Sequence, residues 1–148
     1  MEGNKMHIEK EYICIGTEHF NELAALQISY KAEIGEEKPN EQELERLKRA
    51  IEQGLIHFYG CVCEGKLVAC CSVCVTYSTF NYEKAGVFED FYIKPEFRHQ
   101  GIAKKLVAYA YKESQVKSLT VGCADCDVEM YQAIGFSIPL GNMLAFNA

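Results

Sequence analysis

The fold is decided by the stretch Phe88-Glu89-Asp90-Phe91-Tyr92-Ile93-Lys94-Pro95-Glu96-Phe97-Arg98-His99-Gln100-Gly101-Ile102-Ala103-Lys104. Its first half has the composition of a strand and ends at Pro95, which offers no N–H group to a sheet. A short turn follows, and a helix is predicted to begin at Gly101. The first N–H groups of a helix lack partners and lie at the positive end of its dipole, so this turn suits a phosphate. A carboxylate-bearing strand beside such a turn indicates an enzyme that uses a nucleotide cofactor.

The length and the charge of the chain limit what the protein can be. A chain of 148 residues is predicted to form one domain, residues 1–148, with a substantial core. The net charge is −6 and no Lys/Arg-rich run occurs, which argues against a nucleic-acid partner. No apolar run reaches about 18 residues, so no membrane span is predicted. The first five residues lack the apolar core of a signal peptide, and we therefore expect a cytoplasmic protein.

The cysteines need a separate explanation. They are Cys14, Cys61, Cys63, Cys70, Cys71, Cys74, Cys123 and Cys126. In a reducing cytoplasm they are not expected to form disulfides, and most lie in strand-like runs where Cys acts as a small apolar residue. Strand alternation sends Cys61 and Cys63 to one face but Cys70 and Cys71 to opposite faces, unlike the paired spacing of structural zinc sites. No metal site is predicted, and a zinc module is kept as a rival hypothesis.

The hydrophobic pattern predicts an α/β protein of mixed architecture. Strands are expected at 11–15, 55–63, 67–77, 85–93, 119–123 and 143–146. Helices are expected after Thr17 as an N-terminal cap, from Asn40 with its capping partner Glu43 to about Gly54, at 101–114 and at 128–134. An antiparallel beginning followed by a strand–helix–strand crossover implies a central mixed sheet of about seven strands with about four helices on its two faces.

Two motifs resemble the GNAT superfamily of N-acetyltransferases. The first is Arg98-x-x-Gly101-x-Ala103 after a strand, which is similar to the acyl-CoA-binding loop of that family. The second is Met130-Tyr131-Gln132-Ala133-Ile134-Gly135-Phe136, which resembles a later family segment in which a Tyr-bearing helix is followed by Gly-Phe. The resemblance extends from Tyr12 to Phe146. It implies the acyl-CoA N-acyltransferase fold, with acetyl-CoA as the co-substrate.

The resemblance also implies where coenzyme A lies. Backbone N–H groups from about His99 to Lys104 are expected to hold the pyrophosphate, while Arg98 mainly braces the loop. Gly101 fits this role, because a residue without Cβ lets a ligand approach the backbone closely. The implied cofactor contacts are Phe91, Tyr92, Ile93, Arg98, His99, Gln100, Gly101, Ile102, Ala103 and Lys104. Ala124 stands where many family members carry an Asn that contacts the cofactor. The part of the cofactor that this Asn contacts is therefore expected to be held differently here.

Acetyl transfer to an amine needs two groups that handle protons. A primary alkyl amine has a pKa near ~10, so it is mostly protonated at neutral pH and a base must deprotonate it. Glu89 is the candidate base, and plain strand alternation predicts that it shares a face with Phe91 and Ile93. Tyr131 is the candidate acid for the thiolate leaving group, because the matching Tyr of the family lies beside the thioester sulfur.

A finer resemblance concerns the acceptor. The run Glu89-Asp90-Phe91-Tyr92-Ile93 is similar to the corresponding strand of spermidine/spermine-type acetyltransferases. There the first carboxylate relays a proton through water and the second helps to bind the polyamine, which makes Asp90 a candidate substrate-binding residue. The function indicated is an N-acetyltransferase that moves an acetyl group from acetyl-CoA to a primary amine of a small molecule or peptide, by direct attack in a ternary complex.

Other interpretations stay open. Glu89 is also explained as a surface carboxylate, and Tyr131 as a core aromatic residue. If neither residue takes part in catalysis, the protein is a non-catalytic acyl-CoA sensor on the same fold. Cys123-Ala124-Asp125-Cys126 is a C-x-x-C between a strand and a helix, so a thiol redox protein is a less favoured alternative. A homodimer in which the apolar last strand pairs across an interface is a further expectation.

Overall fold

A computed structural model of the chain describes residues 8–148. The strands are β1 (Lys10–Ile15), β2 (His57–Cys63), β3 (Lys66–Ser78), β4 (Glu83–Ile93) and β5 (Ser118–Val121). The α-helices are α1 (Phe20–Glu33), α2 (Glu41–Glu52), α3 (Ile102–Ser114) and α4 (Val128–Ala133). Short 3₁₀ turns lie at Thr17–His19, Pro95–Phe97 and Asp125–Asp127. Residues 1–7, which the single-domain prediction includes and on which the signal-peptide prediction depends, lie outside the described residues.

The strands form one mixed sheet in the order β1-β2-β3-β4-β5. The first four strands are antiparallel neighbours, and β5 pairs parallel with β4. The crossover between β4 and β5 is α3, as a parallel pair requires. The predicted mixed α/β fold with four helices is therefore confirmed. Within residues 8–148, none of the helices combines the length and the apolar character needed to cross a membrane.

The prediction of about seven strands is wrong, because residues 8–148 form five strands in the sheet. The segment 143–146, predicted as the last strand, has no regular secondary structure. Its side chains Met143, Leu144 and Phe146 are each at least 81% exposed. An apolar strand is stabilised by burying one face against neighbours, and this segment buries almost none of its apolar surface.

Helices cover both faces of the sheet and create two cores. On one face, Leu23 and Leu26 of α1 pack with Phe58 of β2, and α2 adds to the same core. On the other face, Leu106 of α3 packs with Phe88 of β4. We refer to these as the α1-side core and the α3-side core. Residues of β4 contribute to both cores, so the strand is held in place from both sides.

The starts of the first two helices differ in how well the sequence predicts them. Asn40 and Glu43 form the expected capping box, with the Glu43 N–H donating to Asn40 Oδ1 at 2.8 Å. The prediction that Thr17 caps the first helix is wrong. Residues Thr17–His19 form a 3₁₀ turn instead, and α1 begins at Phe20 without a side-chain cap.

The eight cysteines are free thiols, and four of them are fully buried. Cys61, Cys63 and Cys71 belong to the α3-side core, whereas Cys70 belongs to the α1-side core. Burial raises the pKa of the Cys61 thiol to about 11, so this thiol stays neutral at physiological pH. Their positions support the interpretation of these cysteines as small apolar residues. In residues 8–148, no three His, Cys, Asp or Glu side chains are grouped closely enough to hold a metal ion.

A bulge interrupts β4 in the middle of the predicted site. Ser72 of β3 lies opposite Glu89, and Cys70 lies opposite Tyr92. Between these pairs, the single residue Cys71 of β3 faces the two residues Asp90 and Phe91 of β4. Asp90 lies in this bulge with a φ of +54°, in the left-handed region. The extra residue shifts the alternation of side chains along the rest of β4.

The bulge changes the face on which Glu89 lies. Opposite residues of a β-ladder share a face, so Glu89 lies with Ser72 on the α1 side of the sheet. Phe91 packs in the α3-side core, against Phe88. The prediction that Glu89 and Phe91 share a face is therefore wrong, because strict alternation does not allow for an inserted residue.

Candidate functional site

The two parallel strands β4 and β5 separate part-way along the sheet. Their pairing runs from Ala85 opposite Ser118 to Phe88 opposite Val121, and then it ends. β4 continues to Ile93, whereas the chain leaves β5 after Val121. The outer edge of residues 89–93 therefore has no neighbouring strand within the described part of the chain. Its backbone groups are available to a ligand.

A cavity of about 220 Å³ opens where the strands separate. Glu89 and Asp90 reach it from β4, and Tyr131 reaches it from α4. The opposite wall comes from the end of α1 and the loop after it, through Tyr30, Lys31, Ile34 and Glu36. The structure thus brings together three of the residues that the sequence singled out, although Tyr131 is 42 positions from Glu89 in the chain.

The cavity carries an excess of negative charge. Three carboxylates, those of Glu36, Glu89 and Asp90, line it together with one ammonium group, that of Lys31. Lys31 Nζ lies 2.6 Å from Glu36 Oε2, and this hydrogen bond raises the pKa of Lys31, with Asp90 adding to the effect. Because Lys31 is paired with Glu36, the charges of Glu89 and Asp90 have no lysine of their own in the cavity.

Tyr131 lines the cavity from α4 and packs against two other aromatic rings. Its ring lies 6.3 Å from that of Phe91 and 5.9 Å from that of Phe136, measured between centroids. Burial raises the pKa of Tyr131 to about 12, with smaller contributions from Tyr30, Asp127 and Cys123. The phenol is therefore neutral, and able to donate, at every pH at which the protein is expected to work.

Tyr30 is a cavity residue that the sequence did not single out as functional. Burial raises the pKa of its phenol, and the carboxylate of Asp90 adds to the shift. Tyr30 and Tyr131 line the same cavity, and Tyr30 adds to the rise in the pKa of Tyr131. Helical periodicity groups Tyr30 with Phe20, Leu23 and Ile34 on one side of α1, but it does not show that this side faces β4 at the bulge.

The loop before α3 has the geometry that the sequence predicts for an anion site. His99 and Gly101 have φ values of +62° and +81°, and α3 begins at Ile102 without a side-chain cap. A Cβ on Gly101 would meet no atom within 4 Å, so open space lies in front of this helix end. The first N–H groups of α3 lack helical partners by construction. The space and the free donors together fit a diphosphate.

Arg98 is directed away from that space. Its Nε donates to the Ile93 carbonyl at 2.8 Å, and its guanidinium lies 2.7 Å from the Glu33 carboxylate. The guanidinium also lies 5.6 Å from the centre of the Tyr92 ring. Arg98 therefore ties the loop to β4 and to the end of α1, which agrees with a bracing role. The side chains of His99, Gln100 and Lys104 are exposed beside the helix end.

Comparison with protein families gives the class of this chain. The family model described as "Acetyltransferase (GNAT) domain" matches residues 54–138, which is more than half of the chain. The chain belongs to the GNAT acetyltransferases, a family in which acetyl-CoA is the co-substrate. A search of curated protein sequences gave no significant match.

Solved structures agree on the fold at low sequence identity. A predicted acetyltransferase from Clostridium acetobutylicum with acetyl-CoA has 14% identity and a TM-score of 0.75, over 94% of this chain and 96% of that chain. Glucosamine-6-phosphate N-acetyltransferase from Arabidopsis thaliana has 18% identity and a TM-score of 0.71, over 93% and 98%. An aminoglycoside acetyltransferase from an uncultured soil metagenomic sample, in complex with sisomicin, has 14% identity and a TM-score of 0.76, over 94% and 95%.

Proposed function

We propose that this chain is an acetyl-CoA-dependent N-acetyltransferase that acts on a primary amine by direct attack in a ternary complex. The observation that carries the proposal is the shared cavity of Glu89 and Tyr131, which opens where β4 and β5 separate. A base and an acid on one cavity, beside an unpaired strand edge, are the groups that this reaction needs. Family membership supports the same reaction class.

Acetyl-CoA would be held mainly by the main chain. The N–H groups from His99 to Lys104 bind the diphosphate, at the open end of α3. The free edge of Phe91, Tyr92 and Ile93 binds the pantetheine arm, which brings the thioester to the cavity. A backbone N–H of this edge is also a suitable donor to the carbonyl oxygen as negative charge develops on it.

Proton handling falls to the two candidate catalytic side chains. Glu89 removes the proton of the bound ammonium, directly or through one water, so that the neutral amine attacks the acetyl carbonyl. Tyr131 donates a hydrogen bond to the departing thiolate. A phenol of pKa about 12 gives up its proton to a thiolate only at a cost, since a thiol has a pKa near ~8.5. Tyr131 therefore stabilises the leaving group chiefly as a hydrogen-bond donor.

The charges of the cavity support a cationic acceptor. Three carboxylates against one paired lysine leave two negative charges, which is one more than the reacting ammonium neutralises. We assign the second charge to Asp90, as the binding partner of another cationic group of the acceptor. This agrees with the resemblance of 89–93 to polyamine acetyltransferases. The acceptor class proposed is a primary amine with a further positive charge nearby.

The proposal is tested by incubating the purified protein with acetyl-CoA and a set of amines, and by following acetylation by mass spectrometry. We expect spermidine to be acetylated with a kcat/KM at least about tenfold above that of butylamine, since the second charge contributes a charge-assisted contact. A peptide with no charged group besides its N-terminus serves as a second comparison that lacks the additional positive charge. Tight acetyl-CoA binding without turnover of any amine would favour the acyl-CoA sensor instead.

We also propose a homodimer formed through the C-terminal segment 138–146. Within nine residues it exposes Ile138, Leu140, Met143, Leu144 and Phe146. Monomeric proteins rarely expose such a cluster, and the outer edge of β5 has no partner strand in residues 8–148. Sedimentation at micromolar concentration is expected to show a dimer that the pair L144E and F146E converts to a monomer. A wild-type monomer under these conditions contradicts the proposal.

The remaining predictions concern the thiols and the compartment. Cys123 and Cys126 are exposed and free, and they flank Asp125. A thiol redox function of this pair stays the less favoured alternative. A cytoplasmic location stays a prediction from the sequence.

A further inference from the structure

We propose that Ser72 is a positioning residue, which holds the Asp90 carboxylate toward the acceptor cavity and thereby sets the preference for acceptors with a second positive charge. This inference rests on the proposed acetyl transfer to a cationic amine. Ser72 lies on β3, outside both sequence motifs, and it is one of two buried polar residues found in the described part of the chain.

The contact between the two residues is short, and its Ser72 side is buried. Ser72 is 0% exposed, and its Oγ donates to Asp90 Oδ2 at 2.7 Å. A hydrogen bond from a neutral hydroxyl to a carboxylate is stronger than one between neutral groups. The buried hydroxyl has this carboxylate as its partner, so the bond is both the reason that Ser72 is tolerated in the core and a restraint on Asp90.

Asp90 needs such a restraint because of its backbone. Its φ of +54° is uncommon for a residue with a Cβ, although Asp and Asn adopt it more readily than most residues. The Cys70 thiol lies 3.6 Å from the Asp90 carbonyl oxygen, so β3 contacts both ends of this residue. The two contacts come from neighbouring positions on the α1 side of β3. They hold the bulge in the register in which Asp90 lines the cavity.

The position of Asp90 has a direct consequence for the acceptor. Asp90 and Glu89 are consecutive, yet the bulge lets both line the same cavity, where strict alternation would send them to opposite faces. Glu89 then serves the reacting amine, while Asp90 remains for a second cationic group. With Oδ2 engaged by Ser72, the other carboxylate oxygen is left to receive that group.

The experiment compares Ser72→Ala, Asp90→Gly and the double variant. Glycine at position 90 tolerates the positive φ and removes the carboxylate. We expect Ser72→Ala to raise KM for spermidine about tenfold, while kcat, KM for butylamine and acetyl-CoA affinity stay within about twofold. In the Asp90→Gly background, Ser72→Ala should add no further change to KM, because it acts through a side chain that is gone. Thr76→Val removes a hydroxyl from the same face of β3 and is the matched control.

Several results would overturn the positioning role. If Ser72→Ala raises KM equally for spermidine and butylamine, Ser72 only supports the fold. The same conclusion follows if the effects of Ser72→Ala and Asp90→Gly on spermidine KM add in the double variant. Ser72→Thr keeps the hydroxyl and should restore spermidine KM if it folds, as judged by its melting temperature. If the wild-type protein acetylates no amine, the proposed function fails, and calorimetry of spermidine binding then decides the Ser72 question alone. Equal spermidine affinity of wild type and Ser72→Ala would refute the inference.

Discussion

Replacing Glu89 with glutamine is expected to lower kcat/KM for an amine acceptor about a hundredfold at pH 7. At this pH roughly one in a thousand alkyl amines is neutral, so the enzyme must deprotonate the bound ammonium itself. Glutamine keeps the shape of the side chain but cannot take a proton. Because Glu89 lines the cavity with Tyr131, the loss should appear in turnover, whereas acetyl-CoA affinity measured by calorimetry should not change.

The pH dependence identifies the loss as that of a base. Between pH 7 and pH 9 the solvent produces more neutral amine, so the rate of Glu89→Gln should rise by about tenfold per pH unit and approach that of the wild type. Tyr131→Phe is the comparison variant. Burial raises the pKa of Tyr131 to about 12, so its phenol stays protonated throughout this range. Tyr131→Phe should therefore lower the rate by about tenfold at every pH between 7 and 9, which corresponds to the loss of one hydrogen bond. A pH-independent loss in Glu89→Gln would contradict its assignment as the base.

Placing an aspartate at position 101 is expected to weaken acetyl-CoA binding about a hundredfold. A carboxylate in Gly101→Asp and a negative charge of the diphosphate, about 5 Å apart, repel by roughly 3 kcal/mol at an effective dielectric constant of about 20. This energy corresponds to a loss of acetyl-CoA affinity near a hundredfold. Position 101 faces open space at the start of α3, so the new carboxylate would lie where the diphosphate is proposed to bind. Calorimetric titration with acetyl-CoA measures the effect without any acceptor.

Gly101→Asn is the matched control for this variant. Asn and Asp have nearly the same shape, and both tolerate the left-handed conformation that Gly101 adopts with a φ of +81°. The asparagine variant should lose no more than about fivefold in affinity, since it adds bulk but no charge. The difference in acetyl-CoA affinity between the two variants should become smaller at high salt, because ions screen the repulsion. Equal affinities of the two variants would show that the diphosphate does not lie at this helix end.

Local chemistry explains why much of the fold could be predicted. The hairpin of β2 and β3 turns at Glu64-Gly65, where both residues have positive φ values and short-range preferences decide the turn. The capping box of Asn40 and Glu43 involves residues three positions apart. The loop from Pro95 to Gly101 also depends on neighbours in the chain, and so do the free N–H groups that follow it. Each of these features lies within a window that a sequence pattern covers.

The sequence by itself determined most of the elements, the mixed sheet and the loop, because these depend on local backbone preferences and on the spacing of apolar residues. Only the tertiary structure decided the face of Glu89, the contact of Ser72 with Asp90 and the entry of Tyr30 into the cavity. It also decided that residues 143–146 form no strand, whatever their composition. The reason is physical: a bulge, a shared cavity and strand pairing each depend on which distant residue lies opposite, and that choice is made by packing across the whole domain.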